Sequence, residues 1–103
     1  MKNSEIDKAI SEEVILRSKS LMSFNLEEIK NLPPESVEDI KIGSKRLTIC
    51  TYKDELPNGE ILVIVQCKNT RFLGYGNMFA EGFVVSESSE KRKAEEILMW
   101  EYV

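Results

Sequence analysis

Residues Ile61–Lys68 read ILVIVQCK, and the first five are apolar without a break. Ile61, Val63, Ile64 and Val65 are β-branched around Leu62. A short run of this kind is what a strand buried on both faces looks like, because side chains pointing either way then meet protein rather than water. A buried helical segment would show the same run, and periodicity does not separate the two over so few residues. Asn58-Gly59 before the run and the glycines after it favour the strand. Such a strand is central and needs a partner on each side.

The chain offers one on each side. Lys45–Lys53 alternates, with Leu47, Ile49 and Thr51 on one face and Arg46, Thr48, Cys50 and Tyr52 on the other. The turn that follows, Leu56-Pro57-Asn58-Gly59-Glu60, fixes its register. A two-residue Asn58-Gly59 turn would need an N–H from Pro57, which has none, and would set Cys50 opposite Cys67. A three-residue loop puts Pro57 where its φ is already correct and Gly59 where a positive φ is required. In that register Leu47, Ile49 and Thr51 share a face with Val63, Val65 and Cys67. Thr48, Cys50 and Tyr52 share the other with Leu62, Ile64, Gln66 and Lys68. Cys50 and Cys67 are then expected on opposite faces, as reduced thiols.

After Lys68, Asn69-Thr70 reads as the start of a turn and Met78–Val85 as the third strand. Gly82 suggests a bulge or a close backbone approach. Glu81 shares a face with Phe79, Phe83 and Val85, which places it at a sheet edge or in a pocket. Before the strands, Ile6, Ala9, Ile10 and Val14 share one face and predict an amphipathic helix over about 5–22, capped by Ser4. Asn25-Leu26-Glu27-Glu28 opens a second, short helix over 26–32, stopped by Pro33-Pro34. Glu35–Lys41 reads as an acidic connector anchored by Val37 and Ile40. Ser86–Ser89 offers caps for a last helix whose face is Ala94, Ile97 and Leu98, with Glu101-Tyr102 continuing it. The expected architecture is a single α+β domain over 1–103: a three-stranded antiparallel β-meander flanked by N-terminal and C-terminal helices, in the order α-α-β-β-β-α.

Composition narrows the chemistry. The chain has no histidine, so the nucleophile–histidine arrangements and histidine-ligated metal sites are absent. Two cysteines without close spacing form neither a disulfide framework nor a zinc site. No cofactor, metal site or catalytic set is assigned, and the chain is read as not an enzyme; the enzyme alternative would need Glu81 and a second carboxylate in a pocket. There is no leader-like apolar run and no membrane-length segment, so the expected location is cytoplasmic with no membrane partner. The net charge of −4 disfavours nucleic acid as the dedicated partner. The charge is uneven, however: residues 41–80 carry +3 and both flanks are acidic. Gly74-Tyr75-Gly76 leads into a strand rather than a helix and so reads as an ordinary loop, not a phosphate cradle.

The order helix, three antiparallel strands, helix is also that of the double-stranded-RNA-binding domain, and Lys91-Arg92-Lys93-Ala94 resembles that family's Lys-Lys-x-Ala helix start. The chain departs from that pattern in its acidic first helix, in the Phe72–Asn77 insertion and in Glu95-Glu96 after the basic trio. Element order alone carries no function, and the chain is not assigned to the family.

Three strands and two main helices leave one sheet face incompletely covered. Tyr52, Ile64, Gln66 and Lys68 are expected to line it, with Phe72 and Tyr75 near its rim. A mixed apolar face marks a contact surface more often than a catalytic cleft. The expectation is a small interaction protein, regulatory or partner-neutralising, that binds another protein or its own copy as a homodimer. The alternative is a nucleic-acid or small-ligand module, with Tyr52 or Tyr75 stacking on bases and Arg46, Lys68 and Arg71 following the backbone.

Overall fold

The computed structural model describes residues 2–70 and 76–100. It is an α+β structure built on a five-stranded antiparallel sheet. The elements are α1 (Asn3–Met22), α2 (Leu26–Lys30), β1 (Glu35–Ile42), β2 (Lys45–Glu55), β3 (Ile61–Thr70), β4 (Gly76–Val85), β5 (Lys91–Lys93) and α3 (Glu96–Met99). The strands lie in the sheet in chain order, β1-β2-β3-β4-β5. Two strands beyond the expected three therefore come from segments read as a connector and as a helix start.

The central strand is as the apolar run demanded. Ile61 to Val65 are all buried, with neighbours β2 and β4 on either side. On one face, Leu47, Ile49, Val65 and Cys67 pack against Ile6, Ile10 and Val14 of α1. Further along that face, Ile61, Val63, Phe83 and Val85 enclose Ile29 of α2. Full burial of each such side chain contributes about 1.5–3 kcal/mol, so these two clusters hold the helices on the sheet. A smaller cluster on the opposite face joins Leu62, Ile64, Val84 and Ala94, with Leu98 and Met99 laid over it.

Helix α1 begins earlier than expected, with Lys2 rather than Ser4 at the cap position and no side-chain cap. Helix α2 has the capping box that Asn25 and Glu28 predict. The Glu28 N–H donates to Asn25 Oδ1 at 2.8 Å, and the Asn25 N–H donates to Glu28 Oε1 at 3.1 Å. The helix ends at Lys30, ahead of Pro33-Pro34.

Glu35–Ile42 is an edge strand, not a connector. The Gly43-Ser44 turn, with Gly43 at φ 61°, folds this segment onto β2, which pairs with it along its whole length. Ile40 and Ile42 face the α1 cluster as anchors, whereas Val37 is 59% exposed. Asn69-Thr70 likewise continues β3 rather than turning.

The β2–β3 turn is the three-residue loop. The Leu56 N–H donates to the Glu60 carbonyl at 2.8 Å, the Gly59 N–H to the Leu56 carbonyl at 3.0 Å, and Gly59 has φ 84°. Ile49 consequently faces Cys67 and Cys50 faces Gln66, so both cysteines are free and lie on opposite faces.

Ser86–Ser89 does not cap a helix. It forms a second loop of the same kind: the Ser86 N–H donates to the Glu90 carbonyl at 2.8 Å and the Ser89 N–H to the Ser86 carbonyl at 2.9 Å. Ser89 takes φ 71°, the position that Gly59 holds in the first loop. The loop returns the chain as β5, which Arg92 ties to Glu60 through a 2.9 Å hydrogen bond. Lys91-Arg92-Lys93 is thus a strand, which removes the likeness to a basic helix start. Among the described residues after β5 only Glu96–Met99 forms an α-helix, one short turn, and the expected continuation at Glu101-Tyr102 lies outside them. Gly82 is regularly paired with Ile64, and a Cβ there would lie 3.0 Å from the Val63 carbonyl oxygen and 3.3 Å from Ala94 Cβ. Close approach, not a bulge, explains that glycine.

Candidate functional site

The second sheet face divides into two parts. Ala94, Leu98 and Met99 cover Leu62, Ile64 and Val84. The part toward the other end of the strands stays open. On it, Val37 lies beside Cys50, Asp39 beside Thr48, and Lys41 beside Arg46. Across the sheet, Cys50 lies beside Gln66, Gln66 beside Ala80, and Lys68 beside Met78.

The open part contains a break in the sheet. The β2–β3 ladder stops at the Ile49–Cys67 pair. The β1–β2 ladder continues past that level to Ile42–Lys45, and the β3–β4 ladder to Thr70–Gly76. Each hairpin is therefore complete, but the two part company. Between their ends lies an open cleft of about 790 Å³, lined among others by Asp39, Lys41, Lys45, Arg46, Thr48, Cys50, Gln66, Lys68 and Met78.

Polar contacts fix the sides of this cleft. Lys45 reaches across it, its Nζ donating to Asn69 Oδ1 and, at 2.8 Å, to the Thr70 carbonyl. Asn69, fully buried, donates from Nδ2 to Asp7 Oδ1 at 2.6 Å. Asn77 donates to the other Asp7 oxygen at 2.8 Å. The start of α1 is thereby joined to β2, β3 and β4 at the cleft's end. Thr48 donates to Asp39 Oδ1 at 3.2 Å on the other side.

Electrostatically the cleft is basic. Lys41 and Arg46 are directly opposed across β1 and β2, and like charges in that relation are destabilising. Neither they nor Lys68 take part in an ion pair among the described residues. Met78, 37% exposed, adds apolar surface beside Lys68, and Val37, 59% exposed, adds it beside Cys50 at the edge of the open part.

The residues expected to form the contact face are distributed as follows. Gln66 and Lys68 line the cleft. Tyr52 lies at the boundary of the open part, half-buried, and its Oη accepts a 3.2 Å hydrogen bond from Gln66 Nε2. Burial chiefly, and then its hydrogen bond with Cys50, raises the Tyr52 phenol above the usual range. Ile64 is not part of the surface. It is wholly buried, because the segment after β5 folds over it. Phe72, Tyr75, Arg71 and Gly74 lie outside the described residues. Residues that the sequence reading left out, Lys41, Asp39 and Val37, come to the site on β1. The Gly43-Ser44 pair just before the alternating Lys45–Lys53 was the signal for that hairpin.

Elsewhere, Glu81 is half-buried on the helix-covered face opposite Val65. Among the described residues no cluster of three or more Asp, Glu or Cys could hold a metal ion. No described helix is long and apolar enough to cross a membrane. No protein-family model, curated protein or solved structure matches this chain.

Proposed function

We propose that this chain is a non-catalytic protein-interaction module whose binding surface is the open part of the second sheet face, centred on the cleft between β2 and β3. The observation that carries this reading is the parting of the two hairpins after Ile49–Cys67. A sheet in a self-sufficient fold continues its ladder, because strand backbone left without partners is a template for pairing with another chain. Here the ends of β2 and β3 face an open, side-chain-lined space instead. Exposed Val37 and Met78 beside it are surface that a partner would remove from water. A nucleic-acid reading would use the same cations, but Tyr52 is held half-buried against Gln66 and does not offer a free ring for stacking.

The test is site-specific photo-crosslinking in the cell of origin, with solution mass measured alongside. A photoreactive residue replaces Thr48 in one variant and Glu12, exposed on α1, in another. The expected result is an adduct with a protein, foreign or a second copy, from position 48 and none from position 12. No adduct from position 48, or equal labelling from both, would overturn the reading.

A further inference from the structure

We infer that the cleft takes an extended, acidic segment of a partner protein, seated between the parted ends of β2 and β3; this rests on the interaction reading above. Two independent features point to that occupant. The first is backbone. Lys45–Thr48 of β2 lies beyond the last β2–β3 pair, as does Lys68–Thr70 of β3. An extended segment rises about 3.3 Å per residue, so a stretch of a few residues spans these ends and supplies ladder partners there, apart from the Thr70 carbonyl, which Lys45 Nζ already holds.

The second feature is charge. Lys41, Arg46 and Lys68 surround the cleft without ion pairs among the described residues, and Lys41 opposes Arg46 directly. That arrangement costs stability in the free protein, and carboxylates brought beside Arg46 would relieve it. Among the described residues Asp39, engaged by Thr48, is the one acidic side chain lining the cleft, so the site keeps its basic balance. A segment that alternates carboxylate and aliphatic side chains matches both features, because its carboxylates then share the open face with the cations while its aliphatic side chains point to the opposite face, that of Leu47. A polyphosphate backbone matches only the charge, and it would approach a chain whose net charge is −4.

The probe is a short fluorescent peptide alternating Glu and Val, titrated into the full chain at low and at high salt. Its Lys-Val counterpart and a thymidine oligonucleotide serve as controls. Expected are saturable binding of the acidic peptide alone and slowed amide exchange confined to 45–48 and 68–70. Arg46→Glu and Lys68→Glu, both exposed in the free protein, should each weaken binding about fivefold or more, and added salt should weaken it too. Unchanged affinity in both variants, amide protection elsewhere, or tighter binding of the oligonucleotide would refute the acidic segment. Absence of peptide binding would do the same. If the position-48 crosslink nevertheless forms, the interface stands and only the chemistry assigned to its occupant falls.

Discussion

Removing the Asn69 amide tests how α1 is locked to the sheet. In Asn69→Ala the Asp7 carboxylate loses a 2.6 Å donor and the Lys45 ammonium loses an acceptor. Hydrogen bonds to charged groups are worth about 1.5–3 kcal/mol each. Asp7 keeps Asn77 and Lys45 keeps the Thr70 carbonyl, and both charged groups are half-buried, so each loss falls at the lower end of that range. The sum is roughly 3 kcal/mol, a large part of the ~5–15 kcal/mol by which a domain is stable. Urea unfolding is the assay. With a slope of about 1–1.5 kcal/mol per molar, the midpoint should fall by about 2–3 M at unchanged slope. A double-mutant cycle with Asp7→Ala should show coupling of about 1.5 kcal/mol. A loss below about 1 kcal/mol, or no coupling, would refute the assignment of Asn69 as the link between the two charged groups.

Two further outcomes are expected. Ellman's reagent should modify Cys50 quickly in the native protein and Cys67 only on unfolding, since Cys67 is buried and burial holds its thiol above the usual range; a Cys50→Ser variant that keeps a fast phase would contradict this. The ion pairs of Glu38 with Arg17 and Glu60 with Arg92 hold both carboxyls below their usual value of 4.5, so their contribution is present above that pH and is lost as pH falls through the lowered values. A Glu38→Gln, Glu60→Gln variant should therefore lose stability less steeply than the parent on acidification below about pH 5, and equal slopes would refute the point.

The parts of this fold visible in the sequence are those with one dominant local cause. Ile61–Val65 is apolar on both faces and became the strand buried on both faces. Pro57 and Gly59 together allow only one loop, and that loop set the β2–β3 register. Asn25 and Glu28 cap each other within four residues. What escaped depends on distant partners. Strand β1 is acidic and lies at the sheet edge, so its own residues show little alternation; the β2 ladder makes it a strand. Strand β5 is three charged residues, extended because β4 pairs with them and Glu60 holds Arg92. Its loop hides its character, since a serine occupies the left-handed position where glycine would have announced a hairpin.

The site was legible to the same degree. Alternation put Tyr52, Gln66 and Lys68 on one face, as found. The covering of Ile64 follows from the path of Ala94–Met99, which no local pattern specifies. Lys41 and Val37 joined the surface only once β1 was a strand.

The joining of Asp7 to Asn69 and Asn77 also orders events in time. Each strand pairs with its sequence neighbour, so the sheet can zip by short hairpins. Helix α1, by contrast, reaches residues 62 and 70 positions away through those hydrogen bonds. Closing so long a stretch of chain gains nothing until β3 and β4 stand side by side to receive it. The Asp7 hydrogen bonds are therefore expected to form after the main folding barrier, which folding and unfolding rates of Asn69→Ala would check. Weakening this polar link shortens the lifetime of the native state while leaving the rate of its formation nearly unchanged.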